Sequence, residues 1–184
     1  MIFPIDELNA LAVRITRHFD EHGRIKSRRD CEDIIDELLD LYLLALANGV
    51  RQVNEQFGKD IELSAEDVEG IVYLRINGLT WEDRVWEWYD TGGGVSEIMR
   101  IADTEAHRIG NTAAVDTAKR SGATTKRWRT MLDDRVRETH QYLESVSVPI
   151  DADFYTFDGD HAQAPGMFQN VENNANCRCE LSFS

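Results

Sequence analysis

The hydrophobic pattern of this 184-residue chain changes its period at Gly122, and that change constrains the fold more than any other feature. Upstream of Gly122, apolar residues recur every three to four positions, as they do on the buried face of an α-helix. Downstream, apolar and polar residues alternate in residues 125–132 and again in residues 177–183, which is typical of strands with one buried face. The sequence therefore predicts an α+β fold, with a mainly helical N-terminal part and a small C-terminal module of long helix plus short antiparallel strands.

Five helical segments are predicted before Gly122, and they cover residues 4–22, 31–57, 65–76, 81–90 and 95–120. The segment 31–57 is apolar on most sides, so we expect other helices to surround it. Asp30 is a suitable N-cap for this segment. The sequences S-A-E-D at 64–67 and T-W-E-D at 80–83 resemble capping boxes for the next two helices.

A domain boundary is predicted at the flexible Thr-Gly-Gly-Gly stretch of residues 91–94. This stretch does not resemble a phosphate-binding loop, because no Lys-Ser or Lys-Thr pair follows it. We interpret it as a hinge. Residues 1–92 then form a helical scaffold or docking region, and residues 93–184 form the C-terminal domain.

Composition limits the class of protein. The chain has 20 basic and 34 acidic residues, a net charge of −14, which argues against general nucleic-acid binding and favours electropositive partners. Its three cysteines do not make a disulfide framework, and we expect them to be reduced. The most apolar window, residues 38–47, is about half the length needed to span a bilayer, and no secretory signal precedes it. We therefore expect a soluble, intracellular protein with no membrane partner.

A basic segment interrupts this acidic chain. Residues 106–140 hold eight Lys or Arg against four acids and carry +4, which leaves −18 for the remainder. The alternation places Arg127 and Arg129 on the wet face of the predicted strand, and Arg135 and Arg137 follow in a short helix capped by Asp133 or Asp134. The four arginines are either a contact surface for a partner or DNA, or an ordinary solvated face.

Three side chains of the C-terminal module could carry chemistry: His140, Cys177 and Cys179. Both thiols lie on the buried face of the last strand, and one interpretation is that they are reduced packing residues. A second is a structural zinc site, for which Asp134 or His161 would supply a further ligand. A third is a nucleophile and base pair formed by one thiol and the imidazole.

The C-terminal half resembles the phage Mu F-like family of tailed-phage minor head and head-morphogenesis proteins. The matching positions are Thr104, Glu105, Asn111, Trp128, Asp133, Asp134, Arg135, Arg137, His140, Phe154, Pro165 and residues 176–179, Asn-Cys-Arg-Cys. They occur in order over about half the chain. The upstream phrase GLTWEDRVWEW, residues 78–88, also looks like the region that precedes this domain in the family.

The resemblance implies a structural, non-enzymatic protein of the bacteriophage virion, located at the portal vertex and present in the host cytoplasm during assembly. It implies a role in capsid assembly, DNA packaging or DNA delivery, with the portal and other head or neck proteins as partners and multiple copies around the portal. It further implies that His140, Cys177 and Cys179 form one cluster that can hold a metal.

Two alternatives remain at this stage. The first is a DNA-binding module that contacts the packaged, double-stranded genome through Arg127, Arg129, Arg135 and Arg137. The second is a small hydrolase that depends on a thiol or a metal, built on the histidine and the two cysteines.

Overall fold

The computed structural model of the chain describes residues 5–184 and has the predicted α+β architecture. The α-helices are α1 (Ile5–Ile15), α2 (Arg28–Phe57), α3 (Ala65–Val72), α4 (Trp81–Thr91), α5 (Val95–Ser121), α6 (Glu138–Leu143) and α7 (Val171–Asn174), with a 3-10 turn at Thr16–His18. The strands are β1 (Thr125–Arg129), β2 (Ser147–Pro149), β3 (Phe154–Tyr155), β4 (His161–Ala162) and β5 (Glu180–Phe183). The five longer helices come first, and all five strands follow Gly122 together with the short helices α6 and α7. The predicted start of the first helix, residue 4, lies outside the described residues.

The helix boundaries follow local capping. Both predicted capping boxes are present, at the start of α3 and at the start of α4. The prediction that Asp30 caps α2 is wrong, because the helix begins at Arg28 and the hydroxyl of Ser27 accepts from the Asp30 backbone N–H. The Asp30 carboxylate instead lies 2.9 Å from Nδ1 of His18. Asp30 therefore fixes the entry to α2 from inside the first turn.

Helices α2 and α5 pack closely along each other and form the centre of the molecule. The closest approach is at Gly49, where an added Cβ would lie 2.2 Å from the carbonyl oxygen of Gly110. The prediction that α2 is surrounded on most sides is only partly met, since Leu43 and Leu44 face solvent. The other side of α2 is fully enclosed, including Leu38 and Tyr42. Among residues 5–184, no helix is both long and apolar enough to cross a membrane.

A buried charge network joins α3, α4 and α5. Arg108 is completely buried, and its guanidinium donates to Glu105 at 2.7 Å and to the carbonyls of Ile71 and Val72 at 2.8 and 3.1 Å. Glu105 also accepts from Arg84 at 2.7 Å. Arg108 belongs to the predicted basic segment, but it satisfies the C-terminal carbonyls of α3 and is not a surface residue.

The strands form a three-stranded antiparallel sheet in the order β2-β1-β5 and a separate β3-β4 hairpin. In β1, Lys126 and Trp128 point inward and are buried, whereas Arg127 and Arg129 point outward. The alternation predicted for residues 125–132 does not extend to Leu132. The strand ends at Arg129, and Leu132 is 75% exposed in a left-handed conformation with φ of 55°.

The buried apolar side chains form two clusters, and α5 contributes to both. The first cluster is helical. The second lies between the end of α5, the sheet and the hairpin, around Trp128, Phe154 and Phe168. The domain boundary between residues 92 and 93 stays a prediction.

Candidate metal centre and basic surface

Three potential metal ligands converge in the second cluster. Nδ1 of His140 lies 3.6 Å from Sγ of Cys177 and 3.4 Å from Sγ of Cys179. All three ligand atoms lie within 4.8 Å of one another, and each residue is only 2–3% exposed. The structure thus brings together the three residues for which the sequence predicts a cluster, although they come from α6 and from the segment before β5.

Backbone contacts hold the two sides of this cluster in place. The Arg137 guanidinium donates to the carbonyls of Glu172 and Ala175 and so ties the start of α6 to the end of α7. The chain then turns at Asn176, which has a φ of 54°. On the other side, the amide of Asn111 in α5 donates to the carbonyl of Cys179 at 3.3 Å. The positions of both thiols are therefore fixed by hydrogen bonds from two other helices.

Aromatic rings surround the imidazole and exclude solvent from it. The rings of Trp128 and Phe168 each lie 5.4 Å from the His140 ring. A hydrogen bond with Cys179, helped by His140, lowers the pKa of Cys177 well below its usual range. The same bond to Cys177, together with burial, raises the pKa of Cys179.

The donor set fits zinc. With Zn–S near 2.3 Å and Zn–N near 2.0–2.1 Å, a tetrahedral ion separates nitrogen and sulfur ligands by about 3.5 Å, which matches the two N···S distances. A cavity of about 20 Å³ adjoins the cluster and is lined by Met131, Asn176 and the three ligands themselves among others. That volume accommodates one water molecule as a fourth ligand. His140, Cys177 and Cys179 therefore supply three of the four ligands that a tetrahedral zinc ion needs.

The two predicted supplementary ligands are not in the cluster. Asp134 is exposed in the loop between β1 and α6. His161 lies on β4, where its Nδ1 atom is 2.8 Å from the carboxylate of Asp153. Neither residue belongs to the group of ligands that the described residues bring together. A fourth protein ligand for the metal would have to be a residue other than Asp134 or His161.

The four predicted contact arginines differ in what their side chains contact. Arg127 and Arg129 lie on the outer face of the sheet, where Arg127 donates to Ser147 at 2.9 Å and Arg129 lies 3.6 Å from Glu144. Arg135 is exposed in the loop before α6. Arg137 is the exception, because its guanidinium is engaged by the two carbonyls near α7 and serves the fold.

Sequence reasoning also missed one ion pair beside the cluster. Arg178 donates both of its terminal nitrogens to Asp133, each at 2.8 Å, and its guanidinium lowers the pKa of that carboxyl. Asp133 was predicted to cap α6, but the helix begins only at Glu138. The one available signal was the alternation of residues 177–183, which turns Arg178 away from the buried thiols. It could not identify the partner.

Comparison with known proteins gives the family. The model of the family described as phage Mu protein F like protein matches residues 45–182. An NAD(+)--arginine ADP-ribosyltransferase EFV from Enterococcus faecalis is 36% identical over 98 residues, which are 51% of this chain and 20% of that protein. Minor head protein GP7 of Bacillus phage SPP1 is 32% identical over 92 residues, which are 48% of this chain and 30% of that protein.

The chain therefore spans less than a third of the length of either relative. No solved structure matches it significantly. The family match runs from the middle of α2 to β5, so it includes the α2–α5 pair, the buried arginine network, the sheet and the His-Cys-Cys cluster. Because this match covers well over half of the residues, the chain belongs to the phage Mu protein F like family.

Proposed function

We propose that this protein is a structural minor head protein of a tailed phage, located in the virion at the portal vertex and acting in head assembly, DNA packaging or DNA delivery. The observation that carries the proposal is the family match over residues 45–182, together with the likeness to a minor head protein of phage SPP1. The family match and this relative support a structural role in the head. The portal is the partner that we propose for that role.

Burial of the thiols supports a structural role over an enzymatic one. A cysteine hydrolase must bring a substrate carbonyl to the sulfur, but Cys177 and Cys179 are each 3% exposed and adjoin a cavity of about 20 Å³. The catalytic activity in the name of the Enterococcus relative belongs to that protein, of which this chain covers 20%.

The outer face of the sheet is the contact surface in this proposal. Arg127 and Arg129 point away from the core on neighbouring outward positions of β1, and the hydroxyl of Ser182 lies opposite Arg127 in the register with β5. Two guanidinium groups on a rigid strand suit carboxylates of a partner protein, because bidentate pairing gives both orientation and affinity. An acidic surface of the portal is the partner we propose.

Binding to purified portal oligomers tests this proposal. We expect the full chain to bind, and we expect Arg127→Glu/Arg129→Glu to weaken binding by at least about tenfold, as loss of a contact worth 1.4 kcal/mol does. Arg29→Glu/Arg51→Glu is the matched control, since both residues are exposed on α2 and the net charge changes equally. Equal binding by the two double variants, or no binding by the unchanged chain, would contradict the proposal.

DNA is the competing partner for the same face, because arginines and hydroxyls are also the groups that contact phosphates. Binding to double-stranded DNA would weaken steeply with salt, and Arg127→Glu/Arg129→Glu would reduce that salt dependence. Portal binding without measurable DNA binding at low salt would remove this alternative.

We also propose that His140, Cys177 and Cys179 hold a zinc ion that stabilises the module. Zinc would neutralise the thiolates and join α6 to the segment before β5 by metal–ligand bonds, in addition to the hydrogen bonds and apolar packing between them. Its role would be structural, since all three ligands are buried and a substrate could not reach the ion.

A further inference from the structure

The C-terminal module exposes a row of four rings, which we name the aromatic strip: Tyr142, Phe157, Tyr155 and His161. Tyr142, Phe157 and Tyr155 are 58%, 59% and 62% exposed. Tyr142 meets Phe157 edge to face at 6.0 Å, and Tyr155 stacks on His161 at 5.3 Å. Tyr155 and Phe157 are two positions apart, and both are exposed, whereas Phe154 and Thr156 between and beside them are buried, so the two ring pairs lie on the outward side of the hairpin and on α6.

The fold does not require these rings. Around β3 the inward positions are Phe154 and Thr156, both buried, and the Phe154 ring packs on Trp128 at 5.1 Å. The hairpin is therefore anchored from its other side. Large apolar rings left together in water are a typical mark of an interaction surface, because their burial on binding gains free energy that folding has not used.

Charge indicates the kind of partner. Residues 151–160, which carry two of the rings, hold four aspartates and no lysine or arginine. Asp151 pairs with Lys119 at 2.7 Å and Asp160 accepts from the backbone of Gln169 and Asn170, so Asp153 and Asp158 are the carboxylates closest in sequence to the rings. Asp153 also pairs with His161 at the end of the strip. Stacked rings suit single-stranded nucleic acid, but carboxylates beside them repel phosphates. Arginine or lysine side chains would meet both the carboxylates and the ring faces favourably.

The hairpin part of the strip and the basic surface lie on different faces of the module, whereas Tyr142 in α6 lies two positions from Glu144, which is 3.6 Å from Arg129. Phe154 packs on the inner face of the sheet through Trp128, whereas Arg127 and Arg129 point outward from the same strand. The outward side of the hairpin thus faces away from the outer face of the sheet. A partner bound at Arg127 and Arg129 would leave the hairpin part of the aromatic strip free to bind a second protein.

We propose that the aromatic strip is a second interaction surface, which binds a different protein of the phage particle through arginine or lysine side chains set among aliphatic ones. The proposal rests on the proposed function for its setting in a phage particle. It assigns the module the role of a bridge, with a basic face toward an acidic partner and an acidic aromatic face toward a basic partner.

Site-specific photocross-linking in assembled particles tests this proposal. The change Phe157→p-benzoylphenylalanine is expected to give an adduct with a peptide of another particle protein that contains Arg or Lys beside aliphatic residues. Val13 is the matched control position, because it is 78% exposed on α1 and lies outside the strip. Adducts with DNA, adducts between two copies of the chain, or a yield no higher than at position 13 would overturn the proposal.

A second measurement uses the protein that the cross-link identifies. Tyr142→Ser/Phe157→Ser should leave the melting temperature unchanged and weaken binding of that protein by at least about tenfold, as loss of a binding hot spot does. Unchanged binding would overturn the proposal. A cross-linker at position 127 distinguishes portal binding by the arginines from binding of a second protein by the aromatic strip. An adduct with the portal at position 127 but none at position 157 would contradict only the aromatic-strip proposal. Absence of the chain from particles would contradict both proposals.

Discussion

Cys179 Sγ lies 3.4 Å from Nδ1 of His140, although 39 positions separate the two residues in the chain. This contact closes the C-terminal module, because it joins α6 to the segment that enters the central sheet through β5. With Cys177 at 3.6 Å from the same nitrogen, it creates a buried site of suitable size and chemistry for a structural metal.

The metal proposal predicts about one zinc per chain in protein purified without chelators. Cys179→Ser should remove the metal and lower the free energy of unfolding by about 2–4 kcal/mol, which corresponds to a fall in Tm of roughly 5–15 °C. Elemental analysis and thermal unfolding check both. Cys31→Ala is the control, since Cys31 is buried in the other cluster and its loss should leave the zinc content unchanged. Zinc-free protein that unfolds at the same temperature with and without added zinc would contradict the prediction.

The contact between α2 and α5 predicts a large cost for one methyl group. In Gly49→Ala the new Cβ would lie 2.2 Å from the carbonyl oxygen of Gly110, so the helices must separate. We expect a loss of about 1–3 kcal/mol in the free energy of unfolding, measured by urea titration. Gly70→Ala in α3 meets nothing within 4 Å and should stabilise by about 0.5–1 kcal/mol. Equal effects of the two substitutions would show that the helices do not cross at Gly49.

The buried charge network predicts a strong effect of Glu105→Gln. Glu105 is 1% exposed and accepts from both Arg84 and Arg108, so the substitution leaves the fully buried Arg108 without its counter-charge. We expect a loss of about 3–5 kcal/mol, measured by denaturant unfolding. Glu69→Gln, on the exposed side of α3, should change stability by less than about 0.5 kcal/mol. A small effect of Glu105→Gln would mean that the network is open to water.

From the buried amine of Lys126 we predict that the free energy of unfolding changes with pH in the alkaline range. Its amine is buried without a hydrogen-bond partner among the described residues, 5.6 Å from the ring of Phe154, and burial lowers its pKa from 10.5 to about 8. Between pH 8 and 10.5 the unfolded chain therefore binds more protons than the folded chain, so this residue makes stability rise with pH across that window.

Lys126→Met should remove that rise and increase the free energy of unfolding at pH 7 by roughly 1–3 kcal/mol, because an unsatisfied buried cation disappears. Thermal unfolding of both proteins from pH 7 to 10.5 is the measurement. Lys59→Met, at an exposed position, is the control and should keep the pH dependence of the parent. A parallel pH dependence of Lys126→Met and the parent would contradict the buried position of the amine.

The sequence was most informative where structure depends on neighbouring residues. The change of period at Gly122 marked the end of α5, where Gly122 has a φ of 92° and forms the C-cap. Both capping boxes were predicted, because a cap and its partner are three residues apart and act within one turn. The alternation of Cys177, Cys179, Leu181 and Phe183 correctly gave the buried face, because successive side chains of an extended chain point to opposite sides.

Only the tertiary structure decided which charged residues serve the surface and which serve the core. Five residues of the basic segment carry the same formal charge, but they serve different purposes. Arg108 binds buried carbonyls, Lys126 lies on the buried face of the sheet, and Arg137 binds the end of α7. Arg127 and Arg129 point outward. The partner of each cysteine was likewise beyond local patterns, since His140 is placed by the path of the chain between β1 and β5. By itself the sequence determined the elements and their buried faces, because periodicity and capping are local. The His-Cys-Cys cluster, the outward arginines and the exposed rings depend on residues far apart in the chain, and the packing of the whole module determines them.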